Sequence, residues 1–184
     1  YGDRIRYDHN RGRWLLWDKH RWIQNADYKI KRLAMDAARM RLRMAADVED
    51  KQARKARTNF AYTSENNNRL NATLNLAQNL DPIAVEYAWD MNPYLLGCSN
   101  GVVDLRTGFL RDGAPTDRLT LSTNIEYHPD AGCPRWEQFL LEIFDDDIEM
   151  VRFIQRAIGY SLTGDTREQC LFLCWGSGAN GKST

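Results

Sequence analysis

Residues 170–184 read Cys170-Leu171-Phe172-Leu173-Cys174-Trp175-Gly176-Ser177-Gly178-Ala179-Asn180-Gly181-Lys182-Ser183-Thr184. The first six are apolar and bounded by polar residues, the pattern of a buried strand. The last nine contain G-x-x-x-x-G-K-[ST] on Gly176, Gly181, Lys182 and Ser183. Glycines at those positions let the backbone wrap a phosphate with successive N–H groups pointing inward, a lysine reaches the outer phosphates, and a serine hydroxyl ligates Mg²⁺. The helix whose N-terminus completes the cradle is expected to begin near Lys182. Candidate ligands of ATP are therefore Gly176, Ser177, Gly178, Ala179, Asn180, Gly181, Lys182, Ser183 and Thr184, with Ser183 on Mg²⁺. Such a site also needs an acidic residue on a later strand to hold the metal's water shell. The loop closes the sequence, so the chain reads as an N-terminal piece of a larger nucleotide-driven protein, inactive by itself.

Working outward, the preceding residues lack the βαβ alternation of a nucleotide kinase, whose loop lies near the start of its α/β domain. The 184 residues, 43% of them hydrophobic, suffice for a core. No stretch approaches the roughly 18 apolar residues of a membrane span, and charges rather than a signal-peptide core follow Tyr1. A cytoplasmic protein without a membrane partner is expected. Cys98, Cys133, Cys170 and Cys174 form no C-x-x-C pair, which disfavours structural zinc and a disulfide framework and leaves reduced, buried thiols.

Net charge is zero but unevenly divided. Residues 1–57 carry 16 Lys/Arg against 8 Asp/Glu, and residues 58–184 carry 9 against 17. A basic segment of this kind meets a polyanion or packs on the acidic half of a neighbouring subunit.

The local patterns predict an α+β chain: a mainly helical domain with short β-hairpins, then the first strand and phosphate loop of an AAA+-like α/β domain. Residues 1–24 read as a hairpin unit. Ile5-Arg6-Tyr7 and Trp14-Leu15-Leu16-Trp17 flank a Gly-containing turn, and Arg21-Trp22-Ile23 follows as a third strand. Its tryptophans fit a small core better than a base-stacking platform. Residues 25–92 read as helical and basic at the start. Asp27 to about Lys55 has no Gly or Pro, and Arg39, Arg41, Arg43, Arg54 and Lys55 are the candidate DNA contacts, set against a merely solvated helix face. A second helix runs to about Asn79, and Asp81-Pro82 resembles a helix start. Residues 93–165 read as mixed. Short strands are expected at Tyr94–Gly97, Gly101–Leu105, Phe109–Arg111 and Leu119–Tyr127, and helices at Trp136–Phe144 and Ile148–Gly159. Residues 166–184 begin the nucleotide-binding domain. Asp145-Asp146-Asp147 follows an apolar run like a metal-binding strand end, but fits better as a turn whose last acid caps the helix at Ile148.

Five blocks together resemble the phage and plasmid DNA primase–helicases, with their relatives in large DNA viruses. They are Arg13–Trp17 with Arg21-Trp22, Asn100–Gly108, Cys133–Trp136, Gly159–Asp165 and the G-x-G-x-N-G-K-S-T loop. The resemblance covers nearly the whole chain and places it before, and entering, a superfamily 3 helicase core. It implies an ATP- and Mg²⁺-dependent motor that assembles as a homo-oligomeric ring, usually a hexamer, and moves 3′-to-5′ on single-stranded or forked DNA. The host cytoplasm is the implied location, and this region supplies positioning, ring assembly or DNA contact. A non-catalytic DNA-binding or oligomerisation module, or a piece of an unrelated P-loop enzyme, remains the alternative.

Overall fold

Apolar residues alternating about a polar turn set the first element of the fold. In the computed structural model, which describes residues 1–176 and Gly178, β1 (Ile5–Asp8), β2 (Arg13–Asp18) and β3 (Arg21–Gln24) form an antiparallel meander. Pairs Ile5↔Leu16, Tyr7↔Trp14 and Trp17↔Trp22 fix its register. Gly12 (φ +61°) turns β1 into β2 in a conformation that a Cβ would strain.

Period-2 alternation gives this sheet two working faces. Ile5, Trp14 and Leu16 point one way, onto Ala26 and Ile30 at the start of α1 (Asp27–Ala46). Leu15 and Trp22 point the other way, onto Val85 and Trp89. Trp14 and Trp22 are 4% and 0% exposed, so these rings are core and not a stacking platform. Trp22 continues into an aromatic series, edge-to-face with Trp17 at 5.3 Å and with Trp89 at 5.7 Å, and Trp89 lies tilted against Tyr87 at 5.0 Å between centroids.

The Gly- and Pro-free run becomes two helices. Asp50 divides it, because its side chain accepts from Ala53 N at 2.6 Å and so caps α2 (Lys51–Ser64). Asn66 likewise caps α3 (Asn67–Ala77), whose Leu70 is buried and whose Leu74 packs against the cluster of Ile5, Trp14 and Leu16. The helix expected at Asp81-Pro82 is absent. Ala84–Val85 is instead β4, parallel to β1, with Tyr7 N donating to Ile83 O at 2.7 Å and His9 N to Val85 O at 3.1 Å. Pairing with the open edge of β1 overrides the local capping signal.

β5 (Leu95–Cys98), β6 (Gly101–Asp104) and β7 (Phe109–Arg111) form a second antiparallel meander with Val102 and Val103 buried. The strand expected over 119–127 does not form a ladder. Asp90 takes Thr120 N at 2.6 Å and Leu121 N at 3.2 Å, which diverts those donors. Only scattered bonds, such as Thr123 N to Gly97 O at 2.9 Å, reach β5. A Cβ on Gly97 would lie 2.6 Å from Leu121 O, so this close crossing requires glycine.

α4 (Pro134–Ile143) and α5 (Ile148–Ser161) follow, Leu140 being their one fully enclosed apolar side chain among the described residues. Asp147 caps α5, accepting from Met150 N at 3.0 Å. Asp145 and Asp146 occupy the exposed left-handed turn before it, so the acidic cluster forms the connection between α4 and α5. The α+β fold thus holds five α-helices and two short sheets among the described residues. None of its helices is long and apolar enough to cross a membrane. Of the cysteines only Cys98 is buried, its thiol pKa raised by that burial, while Cys133, Cys170 and Cys174 are exposed.

Candidate functional site

The phosphate-loop candidates Ser177, Ala179, Asn180, Gly181, Lys182, Ser183 and Thr184 lie outside the described residues. Gly176 and Gly178 are described, and Gly178 has φ +104°, a backbone conformation that L side chains rarely adopt. The apolar run before them forms no strand. Leu171, Leu173 and Trp175 are 80%, 83% and 95% exposed, and no described strand pairs with the run. A strand exists only where a neighbour takes its N–H and C=O groups, and hydrophobicity alone does not supply one. Phe172 alone leans back on α5, at 6.3 Å from Phe153.

Just upstream, two charged networks fix the chain that leads into this run. Tyr94 Oη donates to Asp165 Oδ2 at 2.9 Å and accepts from Arg167 Nη2 at 2.9 Å. Arg106 lies over the Tyr94 ring at 5.5 Å and pairs with Asp104 at 2.7 Å. Hydrogen bonds from the Arg106 guanidinium and backbone N–H hold the Asp104 carboxyl down to about 2. The Arg167 side chain, its N–H and the Tyr94 hydroxyl hold Asp165 well below the usual carboxylate range. One tyrosine thus joins the Asn100–Gly108 and Gly159–Asp165 blocks.

The basic candidates separate by the helix face each occupies. Arg39 Nε is bound to Glu65 at 2.7 Å, and the Arg41 guanidinium covers the Phe60 ring at 5.6 Å. Arg54 reaches Glu49 O at 3.2 Å. The side chains of Arg43 and Lys55 are exposed and have no hydrogen-bonding or ionic partner among the described residues. The same holds for Arg32, Lys51 and Arg57. α1 carries six Lys/Arg and two acids, and α2 carries four and none. The two helices therefore present a surplus of eight positive charges in 34 residues. Two features of this surface were not singled out from the sequence: Phe60 and Tyr62 on α2, 56% and 62% exposed. Their signal was aromatic rings in a helix whose surroundings are polar.

The model of the family described as "D5 N terminal like" matches residues 1–145. The chain belongs to this family. Three of the blocks quoted above, Arg13–Trp17 with Arg21-Trp22, Asn100–Gly108 and Cys133–Trp136, lie within the matched residues. A protein of Acanthamoeba polyphaga mimivirus named "Putative helicase L207/L206" is 31% identical over 193 residues, covering 94% of this chain. This D5 N terminal like chain spans one fifth (20%) of that relative's length. The basic helical pair lies wholly within the matched region, and the phosphate-loop motif lies beyond it.

Proposed function

We propose that this chain is the DNA-engaging, motor-entering region of a replicative helicase that unwinds DNA at the expense of ATP. The observation that carries the reading is the D5 N terminal like match over residues 1–145 followed, at Gly176, by a complete phosphate-loop motif. In this reading Gly176 to Thr184 bind ATP, with Lys182 on its phosphates and Ser183 on Mg²⁺. Bound ATP supplies the energy of translocation when its terminal phosphate bond is cleaved. The longer protein assembles as a homo-oligomeric ring, a hexamer, on single-stranded or forked DNA. The described helices contribute a fixed positive surface whose affinity for the phosphate backbone is independent of sequence.

The test uses the full-length protein on a labelled forked duplex. Wild-type protein is expected to displace one strand when ATP and Mg²⁺ are present. Lys182→Ala is expected to abolish both ATP hydrolysis and displacement while leaving DNA binding within about twofold. Strand displacement that survives Lys182→Ala would overturn the assignment of this loop to the motor.

A further inference from the structure

Four positions on α2 form one stripe: Lys51, Lys55, Asn59 and Tyr62 are spaced by four, four and three residues and so lie above one another on one side of the helix. All four are exposed, and none has a side-chain partner among the described residues. The Tyr62 ring, 62% exposed, offers a free aromatic face beside those lysines, on which an unpaired base can stack. Beyond Tyr62 the stripe opens into a cleft of ≈ 540 Å³ lined by Tyr62, Thr63, Glu65, Asn66 and Arg69. Glu65, its single acid, is neutralised by Arg39 at 2.7 Å, and Arg69 Nη1 donates to Thr63 Oγ1 at 2.7 Å at the cleft wall. The stripe is therefore cationic over its first two turns, where Glu49 and the capping Asp50 precede Lys51, and aromatic at the end that meets the cleft.

We infer that single-stranded nucleic acid lies along this α2 face, with phosphates against Lys51 and Lys55 and a base stacked on Tyr62 at the mouth of the cleft. The inference rests on the nucleic-acid reading above and specifies its face, strandedness and contact. Charge complementarity selects a polyanion, and the ring selects an unpaired base, because in a duplex the faces of the bases are already stacked on each other. The outward face of α1 fits less well. Its Arg32 and Arg43 flank Asp36, and Arg39 is spent on Glu65. α2 has no acid at any of its 14 positions.

Fluorescence anisotropy with a labelled oligo-dT, across a salt series, tests the inference on the whole chain. Tyr62→Ala is expected to weaken binding roughly tenfold, as loss of one stacked base does, without altering the slope of log K against log salt. Tyr62→Phe, which keeps the ring, restores it. The pair Lys51→Gln and Lys55→Gln is expected to reduce the slope by about 1.4, two single-strand phosphates' worth. The same oligonucleotide in a duplex should bind Tyr62→Ala and wild type equally. If wild type binds with a clear salt slope but Tyr62→Ala binds as tightly, or the lysine pair leaves the slope unchanged, this face is wrong while the nucleic-acid reading stands. If wild type shows no salt-dependent binding, that reading falls as well.

Discussion

Replacing Asp8 with alanine probes the joint that holds the first sheet to the segment beyond β4. The Asp8 carboxylate is 1% exposed and fully engaged. Oδ2 accepts from Trp89 Nε1 at 2.8 Å, and Oδ1 accepts from Asn10 N at 2.9 Å and Arg11 N at 3.2 Å. Alanine leaves the indole N–H of Trp89 without an acceptor inside the core, a cost of about 2 kcal/mol. The two turn N–H groups lie near solvent and recover water, so they add about 1 kcal/mol. The sum, about 3 kcal/mol, divided by a urea m-value of about 2 kcal/mol/M, moves the midpoint down by about 1.5 M. The Asp8→Asn variant should fall between, since one amide oxygen can serve Trp89 or the turn but not both. Urea titration followed by tryptophan fluorescence and circular dichroism measures it, with exposed Asp3→Ala as a control expected to stay within about 0.5 kcal/mol. A shift for Asp8→Ala below about 0.3 M at unchanged m would mean that this carboxylate is not what couples Trp89 to the sheet.

Two further outcomes follow from close contacts elsewhere. A Cβ on Gly113 would strike the His20 carbonyl and lie 2.6 Å from His20 Cα, both main-chain atoms of the β2–β3 turn. Gly113→Ala should therefore cost about 1–3 kcal/mol and lower Tm by several degrees in a thermal melt, and an unchanged Tm would refute the close approach. Asp104 and Asp165 have folded-state pKa values below their unfolded ones, so the stability they confer is complete above the ordinary carboxylate pKa of about 3.9. It is lost as pH falls from there toward about 2, the folded value of Asp104. The gap between the denaturation midpoints of wild type and Asp104→Asn/Asp165→Asn should then narrow from pH 4 to pH 2, the Asp165 part persisting to lower pH, and a constant gap across that window would contradict the pairing.

Elements whose signal is local were legible in the sequence. The three strands of residues 1–24, the three of the second sheet, and α3, α4 and α5 all carry their own alternation, turn or cap, down to Asp147 at the start of α5. The errors arose where a partner decides. Pro82 resembled a helix start until the edge of β1 captured Ala84–Val85, and residues 119–127 alternated like a strand but gave the amides of Thr120 and Leu121 to Asp90. The run from Asp27 reads as one helix or a helix pair, and one capping side chain, Asp50, decides for the pair. Among the basic candidates, composition could not separate Arg39 and Arg41, which spend their charge on Glu65 and Phe60, from Arg43 and Lys55, which do not.

The blocks that carry the family resemblance and the surface proposed to meet nucleic acid are different parts of the molecule. Arg13–Trp17 supplies core rings, Asn100–Gly108 turns β6 into β7 and presents Asp104, Cys133–Trp136 starts α4, and Gly159–Asp165 ends on the Tyr94 latch. Each is held by a constraint of packing or turn geometry, which admits few residue types and so leaves a readable signature. The α1–α2 pair lies outside all of these blocks. A phosphate backbone demands only positive charge at roughly the right spacing, and many arrangements of Lys and Arg satisfy that equally. Resemblance therefore finds the scaffold, and only the placement of side chains on it distinguishes a cation already paired within the protein from one left facing solvent. In this chain that distinction sets Arg39 and Arg41 apart as already engaged, keeps Lys55 among the proposed contacts and adds Lys51 and Tyr62 to them.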